Sequence, residues 1–234
     1  MPTGSARAIS PGVWRTDPRA LLGDSARANP ADFGTEIDWR DHKIAFVTPY
    51  VTGKDVLDIG CIDHDPENSR SRYWLHGAIR QKARSVLGLD LYAEGVEKLR
   101  AQGFNIVVGD AQIFDLGRKF DVIVAGSTIA HLEDLHGFLE SCKRHLAPDG
   151  RLLISTDNPW YWRYVARAAI FAETCTNREQ VNWNCPATLR QLVERHGMKV
   201  HRTVFGSRYL RDRIMPLPRG WKHTSFHAEI GIAT

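Results

Sequence analysis

Three carboxylates, Asp58, Asp90 and Asp110, each close a short apolar run in the first half of the chain. They stand in Val56-Leu57-Asp58-Ile59-Gly60-Cys61, Val86-Leu87-Gly88-Leu89-Asp90 and Val107-Val108-Gly109-Asp110-Ala111. Read as strands running into turns, these stretches bring the acids to one edge of a parallel sheet, where open α/β sheets bind ligands. Carboxylates that converge there suit a nucleoside, whose ribose hydroxyls and exocyclic amine need acceptors. Asp90 is the residue placed to take both ribose hydroxyls. A pyrophosphate is a poorer fit, because a dinucleotide site wants G-x-G-x-x-G directly after the strand. Here Asp58 precedes Gly60, and Ile62 and His64 follow where small residues would be needed. An adenosine carrying a zwitterionic amino acid brings an ammonium and a sulfonium, which an acid beside the turn favours.

The elements that must position these groups alternate. Spacing predicts helices over 34–51, 70–82, 93–102, 132–146, 160–171 and 186–196, and strands over 56–59, 85–91, 105–108, 120–125, 151–155 and 199–205. Pro148-Asp149-Gly150 reads as a helix-to-strand turn, and Phe226 to Ala233 alternates like an antiparallel edge strand. The expectation is a doubly wound α/β sheet, mostly parallel, with helices on both faces and an antiparallel strand at the C-terminal end. Residues 1–33 read as an N-terminal arm with few apolar anchors, Trp14 and Leu21-Leu22 among them. Residues 34–234 read as one domain with a substrate-side insertion at about 157–185, and Trp39 and Arg40 fall near the ligand edge, with packing the competing reading of Trp39.

Composition sets the bounds. The chain has 234 residues, 43% of them apolar and 25% charged, ordinary values for a globular domain. No apolar run reaches the roughly 18 residues of a membrane span, and Met1 to Pro30 holds no apolar core of the signal-peptide kind. These features predict a cytoplasmic location. Cys61, Cys142, Cys175 and Cys185 show no C-x-x-C pairing and read as reduced thiols. A tract from Lys199 to Lys222 carries seven cations against the single acid Asp212, which suits an anionic partner or a solvated surface.

Taken in order, Val56 to Cys61, Gly88-Leu89-Asp90, Val108 to Ala111, Phe120-Asp121-Val122-Ile123-Val124 and Leu146 to Leu152 resemble the class I S-adenosylmethionine-dependent methyltransferases. That resemblance implies a seven-stranded sheet and S-adenosyl-L-methionine as cofactor. It places the methionine moiety against Asp58, Gly60 and Cys61, the ribose on Asp90 beside Leu91, the adenine by Asp110 and Ala111, and Ser127 next to the cofactor. The chain departs from the family at Ile62 and His64, where further glycines are usual. Asp58 and Asp90 stand 32 positions apart, against about 20 in a comparable dinucleotide unit. An enlarged loop over 63–73 follows, with Trp74 or His76 as candidates to enclose the cofactor and packing favoured for Trp74.

A hydroxyl acceptor must lose a proton during methyl transfer, which calls for a base within hydrogen-bond reach. His131, just past the fourth strand, is the first candidate and His64 the second; a histidine packing the next helix is the competing reading of His131. Ala130 stands where an acid would assist a metal, so no metal is expected. Asp157-Asn158-Pro159-Trp160 follows strand five and lacks a second proline, which argues against a DNA amino-methyltransferase. Trp160, Tyr161 and Trp183 read as a substrate wall or as core packing. The leading expectation is O-methylation of a sugar, glycolipid or secondary metabolite. RNA or protein methylation and a cofactor-less regulatory role are the alternatives, and no nucleic-acid module flanks the fold.

Overall fold

A computed structural model describes residues 42–172, 179–206 and 208–233. The predicted arm, Trp39, Arg40 and Cys175 lie outside the described residues.

The central strand β1 (Asp55–Ile59) is buried on both faces after its first residue, as a strand covered by helices above and below must be. It pairs in parallel with β2 (Ser85–Asp90) on one side and β4 (Phe120–Gly126) on the other. β3 (Ile106–Val108) extends the sheet beyond β2, and β5 (Leu146–Asp157) lies against β4. β7 (Ser225–Ile232) runs antiparallel between β5 and β6 (Met198–Gly206), giving the order β3-β2-β1-β4-β5-β7-β6. The chain reverses its direction of travel across the sheet between β1 and β4, so a crevice opens at the carboxyl ends of those strands.

Period-two alternation divides the core. Leu57, Ile59, Ile123, Ile154 and Phe226 face α4 (Leu135–His145) and α6 (Pro186–Arg195), whose Phe138, Leu139, Cys142, Leu189 and Val193 complete that layer. Val56, Val122, Val124 and Leu153 face the other way, onto Phe46, Val47 and Val51 of α1 (His42–Val51) and Ile79 of α2 (Leu75–Arg80). α3 (Ala93–Ala101) seals the β2–β3 side with Val96 and Leu99, and Gly103, at φ +84°, ends the turn that follows it. A further helix, α5 (Trp162–Phe171), buries none of its residues.

Three expectations are corrected. The helix expected over 70–82 is a 3₁₀ turn at Pro66–Arg70 and a short α2 that begins after Trp74. Ser71 is extended there, and the Trp74 indole N–H donates to the Cys61 carbonyl at 2.8 Å, which holds the chain out of a continuous helix. The turn at 148–150 is an irregularity within β5: Phe120 pairs with Leu146, and Val122 with Arg151. β7 is interior, and the edge strand is β6. The polar face of β7 is covered, since α1 stacks Phe46 on His227 with ring centroids 4.9 Å apart and Tyr50 donates to Glu229 at 2.8 Å.

Candidate active site

The turn after β1 is tight because Gly60 takes φ +73° and donates its N–H to the Leu89 carbonyl at 2.8 Å. A Cβ at Gly60 would stand 2.5 Å from Thr128 Oγ1, so a side chain is excluded on sterics as well as on backbone angle. Thr128 Oγ1 donates in turn to the Ile59 carbonyl at 2.9 Å, which ties the β1 turn to the β4 turn.

The two positions that lack the expected glycines have separate explanations. Ile62 is buried in the α3 layer with Trp74, Val96 and Leu99. Asp63 and His64 both adopt the left-handed region, at φ +56° and +67°, which aspartate and histidine tolerate better than most residues. The loop therefore makes the left-handed turn without glycine.

Asp90, at the end of β2, accepts from the Ile62 N–H through Oδ2 at 2.9 Å and from the Tyr92 N–H through Oδ1 at 3.1 Å. A carboxylate offers about four lone-pair sites, so both oxygens keep acceptor capacity. Asp110, just past β3, accepts from the Gln112 N–H at 2.8 Å, and Gln112 Oε1 accepts from the Asp134 N–H at 2.6 Å. Asp134 caps α4 by accepting from the Gly137 N–H at 2.9 Å, so the Asp110 loop is anchored to that helix.

These turns enclose a cavity of about 600 Å³ lined by residues from the ends of β1, β2, β3 and β4. Gly60, Asp90, Leu91, Asp110, Ala111, Ser127 and His131 all contribute to its wall. Ser127 stands at φ +68°, a rare angle for serine, with its N–H held by the Ser155 carbonyl at 2.8 Å. At the mouth, His131 Nδ1 lies 3.1 Å from the Glu179 carbonyl oxygen, and His64 Nδ1 lies 3.3 Å from the Glu179 carboxylate. The two imidazoles meet edge to face at 5.4 Å. The segment carrying Glu179 is stitched down by Asn182, whose amide donates to the Ile129 and Leu132 carbonyls at 2.9 and 2.7 Å.

Asp58 and Cys61 do not line the cavity. Alternation along β1 turns Asp58 away from Leu57 and Ile59, and its carboxylate meets His76 Nδ1 at 2.9 Å in a buried pair. Burial pushes the Asp58 carboxyl above its ordinary range, with His76 opposing. His76 Nε2 has no hydrogen-bond partner. Neither His76 nor Trp74 borders the cavity, and Trp74 packs with Cys61 and Ile62 behind the turn. Cys61 packs with Ile62 and Trp74, and burial raises its thiol pKa strongly.

The aromatic wall is also relocated. Tyr161 is buried and donates its hydroxyl to Asp212 at 2.8 Å, Trp160 is exposed, and Trp183 packs on Tyr164 with centroids 5.6 Å apart. None of these three borders the cavity. Asn158 is a structural amide that donates to the Gly220 and His223 carbonyls at 2.6 and 2.9 Å.

Tyr92, Gln112, Thr128, Leu132 and Glu179 line the cavity without having been singled out in the sequence. Tyr92 and Gln112 each follow a site acid by two positions, a local signal that was available. Glu179 reaches the site only through tertiary packing. Among the described residues, no group of three or more His, Cys, Asp or Glu side chains is arranged to hold a metal ion.

A doubly wound sheet with acids after β2 and β3 and a glycine turn after β1 defines a Rossmann-like nucleoside-binding protein. The family model described as a methyltransferase domain matches residues 37–203, and the chain belongs to this family of class I S-adenosylmethionine-dependent methyltransferases. It is 26% identical over 174 residues to the human mitochondrial ubiquinone biosynthesis O-methyltransferase, covering 67% of this chain and 44% of that protein. It is 29% identical over 156 residues to a probable S-adenosylmethionine-dependent methyltransferase of Mycobacterium tuberculosis, covering 63% of this chain and 53% of the relative. The chain thus spans about half the length of these curated relatives. An S-adenosylmethionine-dependent methyltransferase from Archaeoglobus fulgidus has the same fold, with a TM-score of 0.60 at 17% identity over 92% of this chain and 99% of that one. So does a glycopeptide N-methyltransferase complexed with S-adenosyl-L-methionine, with a TM-score of 0.55 at 17% identity over 86% and 90% of the two chains.

Proposed function

We propose that this chain methylates an oxygen atom of a small molecule, a sugar, glycolipid or secondary metabolite, using S-adenosyl-L-methionine. The observation that carries this reading is the convergence of the Gly60 turn, Asp90 and Asp110 on one cavity with His131 at its mouth. The residues present suit the cofactor. Gly60 brings side-chain-free backbone to the cavity wall on the methionine side, Asp90 keeps acceptor capacity for the ribose hydroxyls beside Leu91, and Asp110 with Ala111 borders the adenine end. Ser127 completes the wall between the two ends. When bound, S-adenosylmethionine supplies an electrophilic methyl carbon on a sulfonium.

The work left to the protein is alignment, exclusion of water and removal of a proton. Ile59, Leu89 and Leu132 give the cavity its apolar lining. His131 Nδ1 faces a carbonyl oxygen, which can only accept. In the neutral ring the proton therefore sits on Nδ1, and Nε2 carries the lone pair a base needs. The human relative is named an O-methyltransferase, which supports an oxygen acceptor. Residues 34–234 act as one catalytic unit, with 157–185 on the acceptor side.

Calorimetric titration of the chain with S-adenosylmethionine tests the reading, and no binding by the wild type would sink it. Asp90→Ala is expected to raise the dissociation constant at least roughly tenfold, as loss of charge-assisted hydrogen bonds to the ribose would. An unchanged constant in a folded variant would remove Asp90 from the ribose.

A further inference from the structure

The segment between β6 and β7 sits on the same carboxyl edge of the sheet as the cavity, held there by Asn158 just past the end of β5. Residues 208–222 contain five cations, Arg208, Arg211, Arg213, Arg219 and Lys222, and one acid, Asp212. That acid is fully buried. It accepts from the Tyr161 hydroxyl at 2.8 Å and the Trp162 indole at 3.0 Å, with the Arg163 guanidinium 3.6 Å away. The segment's one negative charge is thus turned inward, onto α5, while Arg211, Arg213 and Arg219 are exposed.

The same segment exposes aliphatic side chains. Leu210 is 76% and Ile214 85% exposed, and Tyr209 and Trp221 are exposed beside them. The segment is built as two single 3₁₀ turns, Leu210–Arg213 and Arg219–Lys222, pinned at Asp212 and Asn158. These side chains are therefore presented by an anchored scaffold.

We propose that this face docks on a lipid bilayer containing anionic headgroups. Five cations against one buried acid within 208–222 complement a negative surface. Leucine and isoleucine offer nothing to a phosphate backbone and no ring for a base to stack on, whereas they gain by entering the acyl boundary. Tyrosine and tryptophan join an apolar body to a polar tip and suit the headgroup level. A two-fold contact between copies of this chain would set these cations against each other. Docking would bring the cavity's edge of the sheet to the bilayer, and this proposal does not depend on the identity of the methyl acceptor.

The test is flotation of the full 234-residue chain with phosphatidylcholine vesicles, with and without phosphatidylglycerol. Partition is expected to rise at least roughly tenfold with phosphatidylglycerol and to fall with added salt. Arg211→Glu with Arg213→Glu should lose roughly tenfold or more. Leu210→Ser with Ile214→Ser should weaken binding while leaving its salt dependence. Both pairs are exposed, and unchanged circular dichroism and S-adenosylmethionine affinity would show that the variants are intact. No preference for phosphatidylglycerol, or no effect of either pair, would overturn the proposal. So would tight binding of single-stranded RNA without vesicle binding, or a dimer abolished by Leu210→Ser with Ile214→Ser and no vesicle binding.

Discussion

His131 and Asp58 are both polar residues beside strand ends, and the structure gives them opposite positions. Asp58 lies inside β1, where alternation sends it to the face opposite Leu57 and Ile59, toward His76. That partner is 18 residues away, and nothing in the local pattern announces it. His131 closes a one-turn helix, Ile129–His131, beyond β4 and so reaches the cavity mouth. Its Nδ1 contact with the Glu179 carbonyl fixes the tautomer that a base requires. His131→Ala is expected to lower kcat by about 100-fold or more, the usual scale of a positioned proton acceptor. The S-adenosylmethionine dissociation constant should change little. Initial rates with the identified acceptor check this, and a normal kcat would leave His131 as a packing residue. Gly60, Asp90 and Asp110 were legible because a turn glycine and strand-end acids are local signals. Glu179 was not, because its place depends on Asn182 holding a distant segment against the Ile129 to Leu132 backbone.

At the scale of elements, strands β1 to β4 and helices α3 and α6 fall within one or two residues of their expected ends, since apolar runs bounded by Gly, Pro or a cap carry that information. The place of β7 was not readable. Ser225-Phe226-His227-Ala228-Glu229 alternates as if one face met water, but α1 covers that face. The junction is a pair of histidines: His42 Nδ1 and His227 Nε2 are 3.0 Å apart, and His227 Nδ1 lies 2.7 Å from Ser155 Oγ. One ring nitrogen donates and the other accepts, so the accepting ring must be neutral and the two rings cannot both be protonated. Burial, with Lys43 adding to it, lowers the His42 pKa to about 4, and burial drives that of His227 well below its ordinary 6.5. Because both folded values lie below the unfolded one, the unfolded chain binds more protons in this window. The contribution of the pair is complete above about pH 6.5 and is lost as pH falls toward about 4. Urea midpoints measured across that range should decline on acidification. His227→Gln should be less stable at neutral pH and show a shallower decline; an equally steep one would place the acid sensitivity elsewhere.

For the molecule as a whole, the sheet has two parts with different duties. The parallel strands β3-β2-β1-β4 supply the cofactor turns, while β5-β7-β6 and their connections carry the lip at Glu179 and the cationic face. They share one continuous sheet through β4 and β5, and the same apolar layer runs from Leu89 to Ile230 across both. A ligand held only by the native turns stabilises whatever unfolds together with them. At a concentration about 100 times its dissociation constant, that linkage supplies about 2.7 kcal/mol. For a domain of this size it corresponds to a rise of about 5 to 10 °C in Tm. Scanning calorimetry with saturating S-adenosylhomocysteine should therefore show a single transition that moves upward as a unit. The Asp90→Ala variant, whose ribose contacts are gone, should move by much less at the same ligand concentration. Two transitions of which only the first responds would mean that β5-β7-β6 unfolds independently. The ladder that runs from Val122 to Gly126 through β5 to β7 argues against that outcome, because separating the parts would expose Ile123, Leu152 and Ile154 at once.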